Sequence, residues 1–282
     1  MRRSTPTARA LRRTGATVPC ALAIGGLDPG GGAGIAADLR AFAAAGAFGC
    51  AAVTLLTIQS TAGVVRVRAI PTREVSSQSE EVLLHQRVRA IKIGALGSAE
   101  NARAVGRLLA KYSHVPSVVD TPIQPTRGGA SLIAAAGLTV LRDALLPPAT
   151  LVTANLAEVQ ALLGAKVRTV GEAREAALAL AGTGPRAVLV KGGHMAGPEA
   201  IDVLALDGEV FELRARRLSI GSVHGTGCTF ASLVAGRLAR RARERVDHET
   251  LLDAIRWAKR THHAALRRAV RVGDGQRVLM LR

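Results

Sequence analysis

Residues 224–228 read His-Gly-Thr-Gly-Cys and run directly into the apolar, alanine-rich stretch TFASLVAGRLA. A glycine-rich turn that feeds a helix points backbone N–H groups and the positive end of the helix dipole outward, a setting that holds anions. Gly225 and Gly227 bracket Thr226 there, and Cys228 follows. The pentapeptide alone leaves that cysteine reactive, structural or incidental. Three further loops carry residue types able to do chemistry: GGLDPGGGAG (25–34) with Asp28, TANLAE (153–158) with Asn155 and Glu158, and VKGGH (190–194) with Lys191. Asn155 and Glu158 stand three residues apart at a helix start and so share a face. By spacing alone they read as an N-cap and its capping-box partner. Taken singly, Lys191 reads as a surface lysine and each glycine loop as a tight turn; their order along one chain is more telling.

The elements that must position these loops alternate. PCALAIGG reads as a buried strand ending at glycines, and GAGIAADLRAFAAAGA has apolar residues at helical spacing. CAAVTLLTIQ and GVVRVRAI read as strands, TREVSSQSEEVLLHQR as an amphipathic helix, and RAIKIGAL as a strand. SAENARAVGRLLAKY reads as a helix with Ser98 as N-cap. SVVD and ATLVT are expected strands, with a helix over 129–146 between them; NLAEVQALLG is a helix that Gly164 ends. VGEAREAALALAG is a further helix and RAVLVKGG a strand, Asp207-Gly208 splits a hairpin, and two long helices close the chain. Repeated strand–helix units with apolar strands predict an α/β fold, a mostly parallel central sheet with helices on both faces. Ligands of such sheets bind beyond the carboxyl ends of the strands, where the four loops fall.

Composition narrows the class. Of 282 residues 48% are hydrophobic, enough for a large core, and only 2% are aromatic. The three cysteines, Cys20, Cys50 and Cys228, are scattered, with no zinc-like spacing, and no secretory signal precedes them; a reduced, cytoplasmic protein is expected. Cys50 reads as a small buried apolar residue. The uncharged run 41–64 is broken by glycines and turns β-branched halfway, so a helix end, a turn and a buried strand explain it and no membrane span is expected. The net charge of +17 gathers at the two ends, in MRRSTPTARALRRTG and over 237–271. Without aromatic residues among these arginines to stack on bases, a solvated basic surface is expected, and no specific nucleic acid. Residues 1–18 read as a basic, disordered arm whose composition also resembles a transit peptide, and 19–282 as one domain.

In this order the motifs resemble the ribokinase-like superfamily, and within it the hydroxymethylpyrimidine/phosphomethylpyrimidine kinases of thiamine biosynthesis. GGLDPGGGAGIAADL, TIQSTAGV (57–64), KIGALGS (92–98), LVTANLAEVQALLG, VLVKGGH, HGTGCTFASLVA and the tail VGDGQRVL each match a family pattern, from about residue 19 to the C-terminus. The resemblance implies phosphoryl transfer from ATP, with Mg²⁺, to a small-molecule pyrimidine, in a ribokinase-like fold that forms a homodimer. Backbone N–H groups of Gly225, Thr226, Gly227 and Cys228 would then cradle the transferring phosphoryl group. Cys228 stands where most of the superfamily has an aspartate base, and a cysteine at a helix N-terminus is expected to have a lowered pKa. Asn155 and Glu158 match the Asn-x-x-Glu motif that holds Mg²⁺ through its waters, with Asn155 also on ATP. Lys191 matches a position that neutralises the ATP phosphates. Asp120 either orients Mg²⁺ waters or caps the next loop. Gly26, Asp28 and Gln59 match positions around the aminopyrimidine, and the Gln59 amide offers both a donor and an acceptor to such a ring.

The chain also departs from the pattern. Leu27 replaces a small or hydroxylated residue, Ala95 stands where methionine is common, and Thr121-Pro122 interrupts the usual segment after Asp120. The pocket is thus less legible than the catalytic end. A pyridoxine or pyridoxal kinase of the same superfamily, a non-catalytic pyrimidine-binding homologue and a nucleic-acid-associated protein stand as rival readings.

Overall fold

The computed structural model describes residues 18–121, 135–241 and 246–281. The expected basic arm, apart from Val18, lies outside the described residues. So do residues 122–134, with Pro122 and the first residues of the helix expected over 129–146.

The chain runs β1 (Cys20–Leu27), α1 (Gly34–Ala44), β2 (Phe48–Ser60), β3 (Gly63–Ala69), α2 (Thr72–His85), β4 (Val88–Ile93), α3 (Ala99–Lys111) and β5 (Ser117–Asp120). It continues through α4 (Ala135–Val140), a π turn (Leu141–Leu145), β6 (Leu151–Asn155), α5 (Leu156–Leu163), α6 (Val170–Ala181), β7 (Ala187–Lys191), β8 (Glu199–Leu206) and β9 (Glu209–Arg216). It closes with β10 (Val223–His224), α7 (Thr226–Arg241), α8 (His248–Arg267) and β11 (Arg277–Val278). The nine-stranded sheet has the order β3-β2-β1-β4-β5-β6-β7-β8-β9. Its six central strands pair in parallel, while β3, β8 and β9 extend it by antiparallel pairing. The strand order reverses at β1, which lies between β2 and β4, and that is where a crevice opens beyond the strand ends.

Alternation along β1 sorts the two faces. Leu22 and Ile24 join Val105, Leu109, Leu145 and Leu180 on one side. Ala21 and Ala23 face Phe42, Phe230, Leu233 and Ile255 on the other. The small side chains bring α1 and α7 close: a Cβ at Gly236 would sit 2.8 Å from that of Ala45 and 3.2 Å from the Phe42 Cα. Phe42 is fully buried there, which stabilises the layer by about 1.5–3 kcal/mol.

The local signals resolve as their chemistry requires. Ser98 Oγ accepts from Asn101 N–H at 3.1 Å at the start of α3. Gly164 ends α5 with φ 73°, and Asp207 and Gly208 take φ 50° and 86° at the β8–β9 hairpin. Cys50 is buried as expected, its Sγ 3.2 Å from that of Cys20. The short β10–β11 pair has no counterpart in the sequence reading. It ties the loop before α7 to the C-terminal tail through Val223↔Arg277 and His224↔Val278. Among the described residues no helix is long and apolar enough to cross a membrane.

Candidate active site

The carboxyl ends of β1, β4, β5, β6 and β7 open into a cleft of about 780 Å³. Every residue to which the sequence assigns a site role lines it: Gly26, Asp28, Gln59, Asp120, Asn155, Glu158, Lys191 and Gly225 to Cys228. Residues up to 202 apart in sequence (26 to 228) thus share one cavity.

At its centre is the start of α7. The N–H of Thr229 makes the first intrahelical bond, to Gly225 O at 3.0 Å, so those of Thr226, Gly227 and Cys228 precede the helical ladder and are free of it. Gly225 has φ 75°, and a Cβ on it would lie 1.9 Å from Gly32 O; the two glycine loops meet backbone to backbone. A Cβ on Gly227 would lie 3.2 Å from Asp120 Oδ2 and 3.3 Å from Lys191 Nζ, which sets the helix end directly over that ion pair.

Cys228 corrects one expectation. Burial pushes its thiol up to about 11, against the lowering influence of Lys92 and of the Gly34 backbone, and Asp120 and Asp38 add to the rise. At neutral pH it is therefore a thiol. The helix N-terminus does not prevail because the half-buried sulfur is poorly hydrated in the cleft wall and two carboxylates share its neighbourhood.

Lys92, near the carboxyl end of β4, is wholly buried and holds both oxygens of buried Asp38 at 2.9 Å; Ser232 Oγ donates to Asp38 Oδ1 at 2.7 Å. Despite burial, Asp38 beside it keeps the ammonium charged. The sequence reading gave Lys92 no role. Its signal was available: a lysine inside RAIKIGAL stands at an interior strand position, where an ammonium persists only if paired.

The acidic corner joins β5, β6 and β7. Asp120 Oδ1 accepts from Thr153 Oγ1 at 3.0 Å and from Lys191 Nζ at 2.9 Å. Burial works against its ionisation, but Lys191 and Lys92 outweigh it and hold Asp120 below the usual carboxylate range. Lys191 lies 3.9 Å from Glu158 Oε2 and is held charged by both carboxylates. Asn155 and Glu158 form the capping box: Asn155 Oδ1 accepts from Glu158 N–H at 2.9 Å, and Glu158 Oε2 accepts from Asn155 N–H at 2.6 Å. Burial pushes the Glu158 carboxyl up to about 7, partly countered by Lys191.

Among the described residues no three His, Cys, Asp or Glu side chains gather as a metal cage. Asp120 Oδ2 and Glu158 Oε1 take no hydrogen bond from the described residues. Two such oxygens fit Mg²⁺, which keeps several waters and takes other ligands from phosphates.

The opposite end is built from the first glycine loop and β2. Asp28 Oδ1 accepts from Gly30 N–H and Oδ2 from Ala33 N–H, each at 2.8 Å. His224 Nε2 lies 2.9 Å from Asp28 Oδ2 and 3.0 Å from Gln59 Nε2. Leu27 and Ala95 line this part of the cleft. His224 opens the HGTGC motif, and its residue type there signals no role. His262 on α8 was missed too, and THHAAL reads as a solvated helix face with nothing to mark it. Its ring stands edge-on to Phe230, centroids 5.7 Å apart, and its buried Nε2 has no partner among the described residues.

Comparison with known proteins is consistent with this geometry. The family model described as phosphomethylpyrimidine kinase matches residues 28–280. The chain is 40% identical over 259 residues to the hydroxymethylpyrimidine/phosphomethylpyrimidine kinase of Streptomyces coelicolor, covering 92% of this chain and 93% of that protein. It is 39% identical to the thiamine biosynthesis bifunctional protein of Geobacter sulfurreducens, covering 90% of this chain but only 50% of that longer protein. Among solved structures, Bacillus subtilis pyridoxal kinase in its ADP complex superposes with a TM-score of 0.82 at 26% identity, covering 94% of this chain and 98% of that one. Phosphomethylpyrimidine kinase from Clostridium difficile superposes with a TM-score of 0.74 at 30% identity, covering 88% and 99%.

Proposed function

The chain belongs to the phosphomethylpyrimidine kinase family, and from that premise we propose that residues 19–282 act as one kinase domain. The domain transfers the γ-phosphoryl group of ATP to 4-amino-5-hydroxymethyl-2-methylpyrimidine, to its monophosphate, or to both, in thiamine biosynthesis. The observation that carries the reading is the convergence of the Gly225–Cys228 helix start with Asp120, Glu158 and Lys191 at one end of a cleft and Asp28 and Gln59 at the other.

In this reading the N–H groups of Gly225, Thr226, Gly227 and Cys228 receive the charge that builds on the transferring phosphoryl oxygens. Lys191 neutralises the nucleotide phosphates, with Asn155 beside them. Mg²⁺, when bound, would screen the β- and γ-phosphates, held by Asp120 and Glu158 through its waters. Cys228 takes the proton of the acceptor group. Because its thiol is neutral at rest, it does so only from the thiolate fraction, and chemistry quickens as pH rises. Gly26, Asp28 and Gln59 surround the pyrimidine.

Pyridoxal phosphorylation is the second reading, favoured by the likeness to pyridoxal kinases at TM-score 0.82. Incubating the protein with Mg·ATP and each of hydroxymethylpyrimidine, its monophosphate and pyridoxal, and following ADP release, separates the two. Turnover with pyridoxal alone overturns the first reading; tight pyrimidine binding without ADP release from any substrate supports the non-catalytic homologue. Three free cysteines suit a reduced cytoplasm. A homodimer has a candidate face in the exposed Leu56, Ile58 and Val65 of β2 and β3, and light scattering of the purified protein tests it.

A further inference from the structure

The chain Asp28–His224–Gln59 raises a question of hydrogen placement. His224 Nε2 is within hydrogen-bond distance of both Asp28 Oδ2, at 2.9 Å, and Gln59 Nε2, at 3.0 Å. A ring nitrogen carries a hydrogen or a lone pair, never both. Asp28 decides which. Its two oxygens already accept the N–H groups of Gly30 and Ala33. Although burial opposes ionisation, these bonds and His224 itself keep Asp28 a carboxylate. An ionised carboxylate only accepts, so a bare Nε2 at 2.9 Å would set lone pair against lone pair. Nε2 therefore bears the hydrogen.

That hydrogen cannot also meet an amide NH2 group. The oxygen and nitrogen of a glutamine amide exchange places by a half-turn about its last torsion, and the network decides between them. Only the turn that brings Gln59 Oε1 to His224 leaves no donor facing a donor. The imidazole, for its part, is held independently of Gln59. A Cβ on Gly32 would lie 2.3 Å from its Cδ2, and its backbone is paired with Val278 in the β10–β11 ladder.

We propose that His224 is a positioning residue: its Nε2–H, anchored on Asp28, turns the Gln59 amide so that Oε1 faces the imidazole and the NH2 group is presented to an unprotonated ring nitrogen of the substrate. The assignment rests on the reading of the cleft as a site for an aminopyrimidine. It makes the Asp28–His224 pair a specificity device, since a fixed donor at Gln59 favours rings that offer an acceptor there and disfavours rings that offer N–H.

Long-range ¹H–¹⁵N NMR of the histidine rings in the ligand-free protein at neutral pH tests the placement directly, with His224→Gln identifying the His224 signals by their loss. The expected result is a hydrogen-bearing Nε2. A bare Nε2 with the hydrogen on Nδ1 overturns the proposal. Kinetics supply a second test. His224→Leu removes the donor and should raise KM for hydroxymethylpyrimidine about tenfold, the loss of one oriented hydrogen bond, with kcat and the KM for ATP within about twofold. His224→Gln keeps an N–H where the ring has it and should return KM to within about threefold of wild type. Equal losses in the two variants overturn the positioning role. Absence of ADP release by the wild-type protein from any hydroxymethylpyrimidine would instead remove the substrate reading, leaving the NMR result to decide the amide.

Discussion

If Cys228 is the proton acceptor, the rate of the chemical step must follow its ionisation. With the thiol pushed up to about 11, the thiolate is only about 3 in 10,000 of the protein at pH 7.5 and gains about a hundredfold between pH 7 and pH 9. The sign follows from the direction of the shift. A raised thiol pKa holds the neutral form until pH approaches 11, so the active form is gained, not lost, as pH rises. Quench-flow measurement of ADP formation at saturating Mg·ATP and pyrimidine isolates that step. The logarithm of the rate should climb with pH at unit slope over this range. Cys228→Asp places an already ionised carboxylate there and should flatten the profile. Cys228→Ala should lower the rate about 10²–10⁴-fold, the range for a positioned base, while the dissociation constant of ATP stays within about threefold. Alkylation of Cys228 by iodoacetamide, followed by mass spectrometry, gives the thiolate fraction independently. A wild-type rate that stays flat from pH 7 to 9 while alkylation climbs would refute Cys228 as the base.

The remaining predictions concern the charges and glycines around it. Glu158, with a carboxyl near pH 7, loses its charge as pH falls through that value. The Mg²⁺ concentration for half-maximal rate should therefore rise between pH 8 and pH 6, and Glu158→Gln should weaken the response and remove its pH dependence; an unchanged magnesium titration leaves Glu158 as a capping residue only. Lys92→Met strands the buried Asp38 carboxylate and should cost about 3–5 kcal/mol in denaturant unfolding. The double change Lys92→Met with Asp38→Asn should recover most of that, and additive losses would show the pair is not coupled. Gly225→Ala combines a positive φ with a Cβ only 1.9 Å from Gly32 O. Gly164→Ala has a similar φ and open space, so it should cost only about 1–2 kcal/mol; thermal melting should separate the two, with Gly225→Ala the lower and the weaker in ATP binding.

Much of the fold was legible because its signals are local. Apolar strands alternating with helical periodicity, a serine before α3, Gly164 after α5 and Asp207-Gly208 in a hairpin each act through the backbone of a few neighbouring residues. The β10–β11 pair was not legible, since two-residue strands leave no periodicity and their pairing joins segments 54 residues apart (223 to 277). At the site, residue types alone left Lys191 a surface lysine and Asn155 with Glu158 a capping box; the resemblance of the ordered motifs to a kinase family made candidates of Gly26, Asp28, Gln59, Asp120, Asn155, Glu158, Lys191 and the Gly225–Cys228 loop, and all line one cleft.

Electrostatic state is where tertiary structure took over. The place of Cys228 at a helix N-terminus is written in the sequence and by itself argues for a thiolate. Its protonation is not, because that depends on lost hydration and on Asp120 and Asp38, brought beside it by β5 and α1. Lys92 and Asp38 are 54 residues apart and become a pair only when β4 pairs with β1, the strand on which α1 packs. His224 and Asp28 are 196 apart and meet only because two glycine loops lack the Cβ atoms that would keep them separate. Sequence thus determined which groups this protein brings to its cleft. Which of them carry charge, and which way their hydrogens point, follows from distance and burial, and these exist only once the chain has folded.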